Sequence, residues 1–148
     1  MKLIILLSLL VFTMPTFAND HLITLPSQHS VKTTADRFVA NIQEKGLTLF
    51  TRIDHAANAS SVDLKLPATE VILFGNPNAG TKLMQCAPTM AIDLPQKVLV
   101  WEDADKQVWL AYPNPAFLQE LHAIEGCDPI LEKISGLLAA LAASATTK

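Results

Sequence analysis

Residues 97–112 read KVLVWEDADKQVWLAY, and this stretch decides the fold. Lys97–Trp101 and Val108–Tyr112 are two runs rich in β-branched and aromatic residues, and the segment between them is polar. Two such runs around a polar turn predict an antiparallel β-hairpin. Because a hairpin makes at least one strand pair antiparallel, we expect an α+β protein rather than a parallel α/β one.

The residues upstream of the hairpin begin with a strand, a helix and a second strand. His21–Leu25 alternates weakly and predicts the first strand. A capping box from Thr33 to Asp36 predicts the start of a helix, and Gly46 predicts its end. Leu47–Ile53 then alternates with a period of two residues, which is typical of a strand.

Three further elements are expected before the hairpin. Ala56–Leu64 predicts a short helix that ends before Pro67. Glu70–Phe74 is β-branched and apolar without alternation, which predicts a strand buried on both faces. The turn Gly75–Thr81 follows it, and Thr81–Ala87 predicts another helix.

Two helices are expected after the hairpin. Asn114 followed by Pro115, and Asp128 followed by Pro129, are both patterns of helix starts. The last segment, 142–148, is expected to be a frayed tail. Taken together, the pattern predicts a single mixed sheet that carries an antiparallel hairpin on its C-terminal side and is covered by helices.

The first 18 residues form the pattern of a signal peptide. Lys2 is followed by the apolar run Leu3–Phe12 and by a small-residue site that ends at Ala18. A membrane-spanning helix needs about 20 apolar residues, and this run has half as many. We therefore expect cleavage after Ala18 and a soluble domain, residues 19–148, that is periplasmic or secreted. A buried N-terminal helix and an uncleaved anchor are the alternatives.

Two cysteines, Cys86 and Cys127, leave two possibilities open. An even count in an exported chain allows one disulfide bond. The other possibility is two unrelated buried thiols, because sequence alone does not fix their separation.

Charge and hydropathy restrict the partners. The chain has 11 basic and 14 acidic side chains, a formal net charge of −3, and no basic cluster. Nucleic acid is therefore not an expected partner. After residue 18 no apolar run is long enough to cross a membrane, so no membrane span is expected in the processed chain.

Several motifs between residues 46 and 115 carry a family resemblance. They are His55-Ala56 with Ala59, then 72–77 (ILFGNP), 80–85 (GTKLMQ), 93–103 (DLPQKVLVWED) and 109–115 (WLAYPNP). In this order they resemble the "domain of unknown function 302" family. The resemblance implies a small domain with a sheet packed on helices, and it implies a possible homodimer. We therefore expect a family-like core at 46–115, followed by the C-terminal helices that the local patterns predict at 115–142.

The resemblance implies no activity, because no function is established for the family. Some relatives have a cysteine directly after the Leu-Pro pair. In this sequence that position is Gln96, so any role that depends on the thiol does not transfer.

The new N-terminus is one candidate metal site. Cleavage after Ala18 would leave Asn19, Asp20 and His21 as the first three residues. Their amine, backbone amides and imidazole can enclose Cu²⁺ or Ni²⁺ in a square plane, which is a geometry that suits these two ions. No cofactor is expected apart from this possible copper ion, and one added N-terminal alanine should abolish its binding. The alternative is a chain end that never meets metal.

Other residue groups could carry chemistry. Met84, Cys86 and Met90 are soft ligands of the type that binds Cu(I), although the spacing of Met84 and Cys86 places them on different sides of a helix. His55 could act in proton transfer with Asp54, Asp93 and Tyr112, and Cys86 could be a nucleophile. The turn at 75–81 could bind an anion. Structural roles are the alternative for each group, since no hydrolase, CxxC or HExxH motif is present.

The leading hypothesis is therefore an exported module that binds a small ligand or a partner protein. Polar or special residues at strand ends and turns gather on one rim of such a sheet. The residues expected to bind the ligand are His55, Asn76, Thr81, Met84, Asp93 and Tyr112. A copper-binding or redox-linked protein using His21, His55 and Cys86 is the alternative, and an enzyme of unknown class is the third.

Overall fold

The computed structural model describes residues 21–148. The strands are β1 Leu22–Ser27, β2 Thr48–Asp54, β3 Thr69–Gly75, β4 Gln96–Glu102 and β5 Val108–Pro113. The helices are α1 Val31–Glu44, α2 His55–Ser60, α3 Pro77–Cys86, α4 Pro115–Leu121 and α5 Asp128–Thr146, and a 3₁₀ helix spans Pro88–Ile92. The signal peptide expected at 1–18 lies outside the described residues.

All five strands form one sheet in the order β1-β5-β4-β3-β2. The β4–β5 hairpin expected from residues 97–112 is present, with Trp101 opposite Trp109. The α+β class is confirmed. Every neighbouring pair is antiparallel, whereas a mixed sheet was expected. The reason is that β2 and β3 run in opposite directions on either side of the short helix α2, and β1 pairs with the distant β5.

The helix-facing side of the sheet forms the larger core. Ile72, Val98, Val100 and Leu110 are fully buried there, where they pack with residues of α1 and α5. A smaller cluster, which includes Leu83, Met90 and Leu118, lies between α3, the 3₁₀ helix, α4 and the start of α5.

The opposite side of the sheet is less covered. Val71, Leu73, Leu99, Trp101 and Trp109 lie on this side and are half-buried. We call these five residues the open face. The prediction that residues 70–74 are buried on both faces is therefore wrong, because the helices of this core pack on one side of β3.

The start of α1 differs from the expected capping box. Ser30 is the N-cap, and its hydroxyl accepts a hydrogen bond from the Thr33 backbone N–H at 3.2 Å. Asp36 instead pairs with Lys32 at 2.5 Å and with Arg52 of β2 at 2.8 Å. Hydrogen bonds from these two cations lower the pKa of Asp36 below its usual value. Gly46 has φ +68°, so the prediction that it ends this segment in a left-handed conformation is confirmed.

The C-terminal segment is helical rather than frayed. α5 continues to Thr146, and Ala142, Ala145 and Thr146 are buried. The Thr146 carbonyl accepts a hydrogen bond from the Gln28 N–H at 2.9 Å. The expected boundary at 142 is therefore too early, because small alanine side chains let this last turn approach the core closely.

None of the helices in the part of the chain that the structure describes is long and apolar enough to cross a membrane.

Candidate functional site

A cavity of about 460 Å³ opens at the edge where the two cores meet. Its floor is the end of β3 and the start of β4, and its walls are α3, the segment after α3, and the middle of α5. It is lined by Leu47, Phe50, Phe74, Gly75, Asn76, Pro77, Ala79, Gly80, Thr81, Leu83, Met84, Ala91, Leu94, Pro95, Gln96, Ile134, Leu137 and Leu138. None of these lining residues carries a charge, and most are apolar.

A β-bulge shapes the mouth of this cavity. The register between β2 and β3 shifts between Leu49 and Thr51, so that Phe50 is the extra residue. A bulge re-aims its side chain relative to the regular pleat. Phe50 is 50% exposed and also lines the cavity, which places an accessible aromatic ring at the entrance.

Helix α3 is fixed to the end of β3 by its N-cap. The side-chain oxygen of Asn76 accepts hydrogen bonds from the backbone N–H groups of Asn78 at 2.9 Å and Ala79 at 3.4 Å. Pro77 then occupies the first turn, where a missing N–H costs nothing. This turn therefore positions α3 as a wall, and the Asn76 oxygen is already in use as a helix cap.

Gln96 is the polar residue buried within the lining. It is the first residue of β4, is paired with Phe74 and is 9% exposed. Its side-chain amide makes no hydrogen bond with another residue of the described chain. Sequence reasoning did not include it among the site residues. The signal was available, because Gln96 shares its strand face with Val98 and Val100, both of which face the core.

The cavity brings together three of the six residues expected to bind the ligand. Asn76, Thr81 and Met84 line it. His55 is exposed at the start of α2, where Asp54 is the N-cap. Tyr112 is 3% exposed in the larger core, and burial raises the pKa of its phenol above the usual value. Asp93 is next to the lining residue Leu94 but does not line the cavity itself.

Asp93 belongs to a hydrogen-bonded group centred on His122. The Nε2 atom of His122 lies 2.7 Å from Asp93 Oδ2, and its Nδ1 lies 3.1 Å from Thr89 Oγ1. The ring therefore lies between a carboxylate on one side and a hydroxyl on the other. Thr89 and Asp93 flank Ala91 of the lining, so His122 fixes this wall to the end of α4. Sequence reasoning missed His122, because no motif links it to a segment about 30 residues upstream.

Cys86 and Cys127 form a disulfide bond, with their Cα atoms 6.4 Å apart. It joins the end of α3 to the start of α5, and no free cysteine remains. The sequence left open a disulfide bond or two unrelated thiols, and the structure contains the disulfide bond. It also removes the free thiol from the suggested group of Met84, Cys86 and Met90 and from the suggested nucleophile.

The N-terminal copper site stays a prediction. Asn19 and Asp20 lie outside the described residues, and the His21 ring packs edge-on against Phe117 with centroids 4.0 Å apart. Among residues 21–148, no group of three or more His, Cys, Asp or Glu side chains is arranged to hold a metal ion.

The fold and cavity define a small α+β protein with one antiparallel sheet backed by helices. A family model described as "Domain of unknown function DUF302" matches residues 23–141, so the chain belongs to this family. The crystal structure of an uncharacterized conserved DUF302 protein from Bacillus stearothermophilus has the same fold, with a TM-score of 0.76 and 15% sequence identity. The similarity covers 84% of this chain and 98% of that one.

Curated relatives are longer proteins. The chain is 43% identical over 111 residues to "Fluoride-specific ion channel FluC 1" of Brucella suis and equally to a protein of the same name from Brucella abortus. The match covers 75% of this chain but 44% and 41% of those proteins. The chain thus spans less than half the length of these relatives.

Proposed function

We propose that this protein is a binding module that takes up a small, neutral, mainly apolar molecule in the cavity between β3, α3 and α5. The observation that carries the proposal is the uncharged, largely apolar lining of a space of about 460 Å³. Small-molecule sites in proteins are typically concave, apolar and about 300–1,000 Å³ in volume. A cavity of this size beside a well-packed core is not needed for folding, because interiors are normally filled.

The lining argues against a charged ligand. Removing an ion from water costs much free energy unless a partner of opposite charge receives it. Among residues 21–148, no lysine, arginine, aspartate or glutamate lines the cavity. Neutral, apolar molecules are therefore the class of ligand that this cavity should bind most favourably.

The test is a fluorescence titration with N-phenyl-1-naphthylamine, a neutral apolar probe that brightens in apolar surroundings. We expect saturable one-to-one binding to the wild-type protein. Ala79→Trp should weaken it at least about 10-fold, since an indole at this half-buried lining position occupies the space of the ligand.

Two further variants control this test. Ala91→Trp blocks the cavity from the 3₁₀ helix rather than from α3, and it provides the same test if Ala79→Trp fails to fold. Ala104→Trp places the same side chain in the exposed β4–β5 turn and should bind the probe as wild type does. The proposal would be refuted if the probe did not bind the wild type. It would also be refuted if the folded Ala79→Trp and Ala91→Trp proteins bound the probe as tightly as the wild type does.

The site of action is proposed to be the periplasm or the extracellular space. The leader pattern of residues 1–18 supports this, and so does a disulfide bond, a feature that persists in oxidising compartments. Intact-mass analysis of protein recovered from cells should give a chain that begins at Asn19. A full-length chain in the cytosol would contradict it.

A homodimer is proposed as the assembly state. The open face is a half-buried apolar surface, and such surfaces often bind a partner. We propose that a second copy covers it. Sedimentation should give twice the monomer mass, and a monomer at all concentrations would exclude this.

A second candidate function comes from the curated relatives. Proteins named as fluoride-specific ion channels contain a region 43% identical to this chain. A domain joined to a channel in one protein can act beside such a channel as a separate protein in another. Under this proposal, cells from which the gene for this protein is deleted should be more sensitive to fluoride than the parent cells. Unchanged growth in fluoride would argue against it.

A further inference from the structure

Four polar residues of the described chain are buried, and the side chains of three of them have hydrogen-bond partners within it. Ser27 Oγ and Thr34 Oγ1 are hydrogen-bonded to one another at 2.7 Å. Thr146 Oγ1 donates to the Ala142 carbonyl at 2.9 Å. Gln96 is the fourth, and within residues 21–148 its amide has no hydrogen-bond partner.

Buried polar groups in proteins are almost always hydrogen-bonded, and each exception needs an explanation. In the described part of the chain, the fully enclosed side-chain atoms without a partner are Arg37 Nε and Asn41 Nδ2. They belong to half-buried side chains of α1, which does not line the cavity. The Gln96 amide is not among these enclosed atoms, although the residue is only 9% exposed, and Gln96 lines the cavity. The Gln96 amide has no hydrogen-bond partner among the described residues, but a molecule bound in the cavity can form a hydrogen bond with it.

We propose, on the basis of the proposed function, that the ligand carries a neutral carbonyl oxygen that accepts a hydrogen bond from the Gln96 amide. Ketones, esters and quinones are molecules of this class. The apolar remainder of the ligand contacts the leucines of α3 and α5, and the carbonyl oxygen accepts a hydrogen bond from an N–H of the Gln96 amide at the floor.

The other polar residues of the lining are less suited to this role. Asn76 and Thr81 are exposed at the mouth. The Asn76 oxygen already caps α3. A carboxylate is disfavoured, because a glutamine amide is neutral and none of the described residues that line the cavity is a cation.

The experiment measures displacement of N-phenyl-1-naphthylamine by 2-decanone and by decane, from wild-type protein and from Gln96→Leu. The quantity of interest is the ratio of the two dissociation constants in each protein. Comparing this ratio between proteins cancels the different hydration of ketone and alkane, as in a double-mutant cycle. We expect Gln96→Leu to shift the ratio about 10-fold against the ketone, because the amide that bound the carbonyl is replaced by a methyl-bearing side chain.

Matched variants keep the outcome interpretable. Gln85→Leu is the same substitution on the exposed side of α3 and should leave the ratio unchanged. Gln96→Met removes the amide with a closer match in shape and serves if Gln96→Leu fails to fold. An unchanged ratio in a Gln96 variant that still binds the probe overturns this inference and leaves the proposed function intact. Failure of the probe to bind wild-type protein overturns both.

Discussion

Replacing both Cys86 and Cys127 by alanine is expected to lower the free energy of unfolding by about 4 kcal/mol. The disulfide closes a loop of 41 residues, and the chain-entropy model assigns a value of this size to such a loop. The bond also fixes the end of α3 to the start of α5, two elements that line the cavity. Urea denaturation of the variant and of the wild type, without reductant, measures the difference.

Reductant provides the control for this prediction. Adding it to the wild type should reproduce most of the loss, and adding it to the double-alanine variant should change nothing. A loss below about 1 kcal/mol would show that the loop is restrained by other contacts in the unfolded chain, which is contrary to the entropic account.

Phe38→Ala is expected to cost about 3–5 kcal/mol, the range for removal of a buried aromatic side chain. Phe38 is 1% exposed on α1, and its ring packs edge-on against Phe74 with centroids 5.0 Å apart. The loss combines the burial of the ring with the cavity that it would leave between α1 and the sheet. Urea denaturation again gives the value.

Phe50→Ala is the matched control, because the same atoms are removed from a ring that is 50% exposed at the bulge. Its cost should be less than half that of Phe38→Ala. Equal losses of unfolding free energy for the two variants would contradict the structure, in which Phe38 is buried and Phe50 is exposed.

The order of strands and helices was predictable because each element carries a local pattern. The hairpin at 97–112 needed only two apolar runs and a polar turn. Pairing between distant strands leaves no such local pattern, so the antiparallel contact of β1 with β5 could not be derived. The extent of α5 was missed for a similar reason, since alanines such as Ala145 become core residues only through the neighbours that pack on them.

The cavity was partly predictable. Asn76 and Thr81 were found because strand ends and helix starts gather polar residues. Gln96 was missed although its place on the inward face of β4 could have been counted from Val98 and Val100. His122 could not be found, because its partners Thr89 and Asp93 are brought to it by the chain reversals between the 3₁₀ helix and α4.

The central claim is that the cavity binds a neutral apolar ligand, and methyl NMR tests it most directly. Spectra of the protein as recovered from cells are recorded with and without N-phenyl-1-naphthylamine. We expect shifts concentrated at the lining methyl groups of Leu83, Met84 and Leu137, with Ile92 and Leu121, which are exposed and do not line the cavity, unchanged. Shifts confined to Ile92, Leu121 or the open face, with the lining methyl groups unmoved, would contradict the claim.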